Sequence, residues 1–354
     1  MKRHGYLIML GALIAQPFAL AAFAQHGRIA VDTVRAASLA NLLGSPTATR
    51  VSVYLPPSYD SSNRRYPVVY LLHGFGVSDL GWVHPSRMVG IGGIMDTLIA
   101  AHSANEMIVV MPNASTKFGG SFYVNSAGQG NWEDFIAHDL VTWIDGKYRT
   151  LARPESRGIT GHSMGGYGAL YLGMRHGGET YGAMFAMSPC CSAPLEFVAA
   201  RDGDTWEALA RTTSFAALAA TGFGVQSLAA VSAAFASDSA RPPLYFDLAE
   251  EKHGDVWTEK PAVLSRFNDH ALLLMVPRYE ANLRRMRAVG FEGGTQDEIV
   301  PTRDLTRLDT AMTNAGVTHT FALFEGTHTN RIGSQLLRVF PFFSRALVFD
   351  TGKQ

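Results

Sequence analysis

Cysteine is nearly absent from this chain of 354 residues, which holds only two, Cys190 and Cys191. They are adjacent, so a bridge between them would close a strained ring, and a disulfide framework is excluded as the basis of the fold. Both are expected as small buried residues. A surplus of charge is missing too, since 30 Lys and Arg balance 30 Asp and Glu. No basic run hides inside that balance, so nothing marks the chain as a binder of nucleic acid or of an anionic membrane surface. Beyond the first two dozen residues there is no apolar run long enough to span a bilayer. There is no H-E-x-x-H, no Cys/His ligand spacing, no complete G-x-G-x-x-G and no P-loop, and neither a metal nor another cofactor is expected. Disorder is excluded by what remains, 47% hydrophobic against 17% charged residues, which is ample material for a large core.

What is present begins with an address. Lys2, Arg3 and His4 precede an apolar run from Tyr6 to about Ala22, and Ala22-Phe23-Ala24 supplies small residues at the positions a signal peptidase reads. Residues 1–24 are therefore expected to be a secretory signal, and residues 25–354 a single domain in the periplasm or outside the cell. An uncleaved anchor is the competing reading, but Gln16 and Pro17 interrupt the run.

From Val51 onward, short β-branched or apolar runs alternate with longer helical patterns, the mark of an α/β fold with a mostly parallel sheet and crossover helices. Strands are expected at Val51–Leu55, Val68–Leu72, Met107–Met111, Arg157–Thr160, Ala183–Met187, Ala288–Phe291 and Val317–Phe324. Helices are expected at Gly166–Arg175, Phe135–Tyr148 and Arg303–Asn314, with a closing helix from about Arg331. Between about Pro194 and Glu280 the alternation lapses into an Ala-rich stretch followed by Pro242-Pro243 and the charged Glu250–His253. Lacking a linker of its own, this segment reads as a helical cap inserted into the domain, with a separate helical domain as the alternative.

Gly161-His162-Ser163-Met164-Gly165 fits G-x-S-x-G, the turn that lifts a serine hydroxyl above a sheet, and it has the required strand before it and helix after it. A serine needs a base, and the base needs an orienting carboxylate. His328 lies just past the last strand, at its carboxyl end, where parallel sheets place their chemistry; the rival His319 falls inside the strand pattern. Asp297 follows the strand Ala288–Phe291 in the same way, whereas Asp304 and Asp309 fall on a helix face, and the adjacent Glu298 is the remaining substitute. Two backbone amides are placed to hold an oxyanion, those of Met164 and of Phe75 in His73-Gly74-Phe75-Gly76. Tyr123, Asn125 and Trp132 sit in a Gly-rich loop, where they either line a binding cleft or anchor the loop. Glu133 and Asp134 begin a helix and are expected to serve its amino end.

With Tyr54-Leu55-Pro56-Pro57-Ser58-Tyr59, Tyr66 to Gly74, Gly120-Ser121-Phe122-Tyr123 and Gly161 to Gly166 as landmarks, the chain resembles the esterase D family of α/β-hydrolases. That group includes feruloyl esterases, S-formylglutathione hydrolases and mycolyltransferases. The resemblance implies the α/β-hydrolase fold and a serine esterase with nucleophile Ser163, acid Asp297 and base His328. Feruloyl esterase-like members often carry an aromatic residue soon after that histidine, whereas Thr329-Asn330-Arg331 follow here. The expected activity is hydrolysis of a small-molecule or glycan-linked carboxylic ester. Acyl transfer to a sugar or lipid, and a non-catalytic binding module on the same fold, are the alternatives.

Overall fold

The computed structural model describes residues 26–192, 203–254 and 256–350. The expected signal segment and the first part of the expected insertion, up to residue 202, lie outside the described residues.

Eight strands form the main sheet: β1 Arg28–Arg35, β2 Ala48–Leu55, β3 Val68–Leu72, β4 Ile108–Pro112, β5 Arg157–His162, β6 Ala183–Met187, β7 Ala288–Gly294 and β8 Thr320–Phe324. Their spatial order is β1-β2-β4-β3-β5-β6-β7-β8. The β1–β2 and β2–β4 pairs are antiparallel, and every pair from β4 to β8 is parallel. Because strand side chains alternate between faces, β3 feeds two cores at once. Val68, Tyr70 and Leu72 point into one, and Val69 and Leu71 into the other. Each such burial contributes roughly 1.5–3 kcal/mol, which is why β3 and β6 read as unbroken apolar runs.

The helices that cover the sheet are α1 Ile91–Ala100, α2 Leu140–Lys147, α3 Met164–His176, α4 Phe223–Phe235, α5 Thr302–Asn314 and α6 Ile332–Ala346. Helix α6 lays Leu336, Val339, Phe340 and Phe343 on the face that carries Val69 and Leu71. Ahead of α2 the chain makes a π-helical turn over Phe135–Asp139, so the expected single helix has a wider first section. Glu133 does not act as a solvated helix-end charge. It is buried and accepts hydrogen bonds from Tyr171 Oη (3.0 Å), Arg175 Nε (2.5 Å) and His176 Nε2 (2.9 Å). Burial alone would raise its carboxyl, but the bonds from His176 and Arg175 outweigh burial and hold it at about 2.

The described part of the expected insertion is mostly helical, and it also holds an antiparallel hairpin, Glu250–His253 with Val256–Glu259. It is not a detachable cover. Residues Leu228–Val231 and Ala233–Ala236 of α4 and its end, with Phe267, Leu272 and Met275, belong to the same hydrophobic cluster as Val68 and Tyr70 of β3. Phe235 packs edge-on against Phe122 at 5.8 Å and tilted against Tyr167 at 5.7 Å. Excising the segment would open that core to water.

Candidate active site

Strand β5 turns directly into helix α3, and Ser163 stands at the junction with φ 59° and ψ −119°. A non-glycine residue in that region costs of order 1–3 kcal/mol and persists only where its surroundings enforce it. The neighbours enforce it here. A Cβ on Gly161 would lie 2.4 Å from the Gly165 carbonyl oxygen, and one on Gly165 would lie 2.2 Å from the Leu72 carbonyl oxygen. The turn can approach β3 this closely only with glycine at both positions. The Ser163 amide donates to Met187 O at 3.0 Å, and Ser163 O accepts from Tyr167 N at 2.9 Å, locking the turn to β6 and to its own helix.

His328 follows β8 on a loop and is 3% exposed. Its Nδ1–H donates to Asp297 Oδ2 at 2.8 Å, which leaves the Nε2 lone pair outward from the pair. That Nε2 is buried and has no hydrogen-bond partner among the described residues. Asp297 is held in turn by its own loop, its Oδ1 accepting from the amides of Ile299 (2.9 Å) and Val300 (2.7 Å). Burial would raise its carboxyl, but the bond from His328 and the two amides outweigh it and keep it below the usual carboxylate range. Glu298, the expected substitute, does a different job: its Oε2 accepts from the His328 amide at 3.1 Å.

Two histidines that the sequence did not mark as functional hold this arrangement. His162 Nε2–H donates to the His328 carbonyl at 2.7 Å, and the two rings lie 4.8 Å apart. The residue before the serine therefore carries the loop of the histidine. His73 Nε2 accepts from the Ala114 amide at 2.8 Å while its Nδ1–H donates to Gly74 O at 2.8 Å, fixing the loop that bears Phe75. The only sequence signal for either was adjacency to a motif glycine or serine. A Cβ on Gly74 would sit 3.4 Å from Ser163 Cβ, so the Phe75 loop lies directly beside the serine. The Phe75 amide has no acceptor among the described residues, and Met164 opens α3, where amides lack an intrahelical partner.

Burial pushes His73 down to about 4, and burial together with neighbouring His328 pushes His162 down to about 3. Both are neutral when folded, at pH values where unfolded histidines, ordinarily near 6.5, bind protons. Their stabilisation is complete above pH 6.5 and is lost as the pH falls toward these lowered values, at about 1.4 kcal/mol per pH unit for each histidine. Urea midpoints should accordingly hold down to about pH 6.5 and decline from there to about pH 5, and a flat profile across that lower range would contradict the two neutral burials.

The remaining expected residues have partners of their own. Tyr123 is fully buried and donates its hydroxyl to His73 O at 2.8 Å, so it supports the Phe75 loop from within instead of lining a cleft. Asn125 pairs with Asp134, donating from Nδ2 at 2.9 Å and accepting its amide at 3.1 Å. Trp132 donates to Gln129 O and borders a separate cavity of about 390 Å³ with Asn41, Arg50 and Asn113. His319 precedes β8 instead of lying within it, bonded through Nε2 to Asp309 at 2.9 Å. Residues 317–319 are neither helix nor strand, and the Val317 amide closes the end of α5 by donating back to Met312 O.

A larger groove of about 640 Å³ begins at Phe75 and Gly76 and runs along Phe118, Phe215 and Leu218. Phe223 of α4 meets the Phe75 ring edge-on at 5.8 Å, so the insertion reaches the loop beside the serine.

Strand order, elbow and covering helices define an α/β-hydrolase. The chain belongs to the Esterase family, whose model, described as "Putative esterase", matches residues 45–332. An esterase of Mycobacterium tuberculosis is 36% identical over 130 residues, which is 36% of this chain and 26% of that protein. An endo-1,4-beta-xylanase/feruloyl esterase of Xylanibacter ruminicola is 34% identical over 131 residues, 35% of this chain and 17% of that protein. The chain thus aligns with about a quarter or less of the length of these curated relatives. Among solved structures, a ferulic acid esterase superposes with a TM-score of 0.61 at 25% identity, covering 91% of this chain and 99% of the other.

Proposed function

We propose that the chain is a serine hydrolase that cleaves carboxylic esters through an acyl-enzyme on Ser163. The observation that carries this reading is the buried Asp297–His328 pair, oriented so that the imidazole presents a basic Nε2. His328 would take the Ser163 proton as the hydroxyl attacks the ester carbonyl, and would return it to the leaving alcohol; water then repeats the sequence to release the acid. Asp297 holds the ring in the tautomer that accepts a proton and stabilises the imidazolium that forms. The amides of Phe75 and Met164 would hold the tetrahedral oxyanion, each donor contributing about 2.7–4 kcal/mol in hydrolases of this kind.

An apolar acyl group suits the groove that starts at Phe75 and is walled by Phe118, Phe215 and Leu218. The likeness to a ferulic acid esterase supports an aromatic acyl group, while Thr329-Asn330-Arg331 lack the aromatic residue expected of one. A series of p-nitrophenyl esters from acetate to palmitate, run beside methyl ferulate, tests the reading. The expected result is a rapid burst of p-nitrophenol followed by slower turnover. Failure to cleave any ester in the series would remove the hydrolase reading.

A further inference from the structure

Past β6 the chain runs Ser188-Pro189-Cys190-Cys191-Ser192, and the two cysteine Sγ atoms lie 3.0 Å apart. That is closer than two sulfurs sit in ordinary packing, and about 1 Å longer than a disulfide bond. Both residues are half-buried, so a small reagent can approach them. We propose that Cys190 and Cys191 are a redox-responsive vicinal dithiol that closes to a disulfide by exchange with a small-molecule disulfide and alters turnover at Ser163. The thiolate of one cysteine attacks a sulfur of the oxidant and releases one thiol. The second thiolate attacks the mixed disulfide, forms the Cys190–Cys191 bond and releases the other thiol. The protein loses two protons and two electrons, and the oxidant is reduced to two thiols.

The ring that forms is strained. Neighbouring Cα atoms across a trans peptide are about 3.8 Å apart, whereas disulfides ordinarily link Cα atoms about 4.4–6.8 Å apart. Strained and accessible disulfides are readily reduced, which suits a reversible switch and not a structural staple. The loop is already contorted, with Ser188 at φ 44° and Cys191 at φ 60°. Its ends are also tied. The Ser188 amide donates to Glu292 O at 2.8 Å, and Ser192 O accepts from Leu273 N at 2.9 Å. Twisting the Cys190–Cys191 unit therefore pushes on Pro189 and Ser188. Met187 O, just before them, accepts the Ser163 amide, and Pro189 Cα lies 3.1 Å from where a Gly166 Cβ would sit. Ring closure acts on the serine turn through these two contacts.

Since the sequence has only two cysteines, the test is direct. The full chain is reduced, then equilibrated with oxidised glutathione. Thiol titration, intact mass and kcat/KM on p-nitrophenyl acetate are read for both forms. The expected product has lost both thiols and two hydrogens, carries no glutathione, has the mass of one chain with no disulfide to a second, and turns over about tenfold more slowly, with recovery on adding dithiothreitol. Cys190→Ser and Cys191→Ser should each stop at a single glutathione adduct. Retention of both thiols, a glutathione adduct or dimer as the end product of the parent, or equal turnover by the two forms would overturn the proposal. The turnover arm rests on the Ser163 reading, but the thiol and mass measurements do not. A failure of ring closure is thereby distinguished from a failure of the esterase assignment.

Discussion

Ser163→Ala should lose about 10⁶-fold in kcat on any activated ester, because in the proposed mechanism no other group then bonds to the acyl carbon and Ser163, His328 and Asp297 act as a unit. The fold should survive. Alanine faces the same left-handed backbone as serine, and the contacts that lock the turn are made by backbone atoms of residues 161, 163 and 165 and by Leu72, Tyr167 and Met187. A thermal melt within a few degrees of the parent, with the burst abolished, is the expected pair of results. Retention of even one part in a hundred of the activity would place the nucleophile elsewhere, while loss of the melt would mean that the side chain supports the turn itself.

For Asp297→Asn the expected loss is about 10⁴-fold in kcat, and the hydrogen bonds dictate why. Asp297 Oδ1 accepts from the amides of Ile299 and Val300, so an asparagine must put its oxygen there and turn its NH₂ toward His328 Nδ1. That nitrogen must then accept, the ring proton moves to Nε2, and the base can no longer take a proton from Ser163. Glu298→Gln is the contrast. Its amide oxygen can still accept from the His328 amide, so kcat should stay within a few-fold of the parent. The two variants measured side by side on one ester decide between the neighbours. Equal losses would mean that the loop's position, and not the tautomer, is what the carboxylates control.

The strands buried on both faces were legible to the residue: Val68–Leu72 and Ala183–Met187 appear as expected. Their continuous apolar character leaves little else for them to be. Strand β1 escaped notice because only Val34 in it is buried and its remaining side chains are exposed or half-exposed, the pattern of an edge. The hairpin Glu250–His253 with Val256–Glu259 escaped for the same reason, since its charged, exposed residues carry no apolar period. Glu133 reads as a helix-end charge because acids favour that position, and nothing in the linear sequence reveals that Arg175, His176 and Tyr171 close around it from α3.

What the sequence determined by itself is the local logic. A G-x-S-x-G turn between a strand and a helix, an acid and a histidine each just beyond a strand end, and a glycine pair after β3 follow from backbone sterics and from the geometry of parallel sheets. Those constraints act over a few residues and are therefore written in a few residues. Only the tertiary structure decided which carboxylate orients His328, that His162 and His73 brace the site, that Tyr123 lies inside the core, and that Met187 and Pro189, just ahead of the two cysteines, lie against the elbow. These depend on contacts between segments that approach only when the sheet is assembled, and their energies belong to pairs that no single stretch of the chain contains.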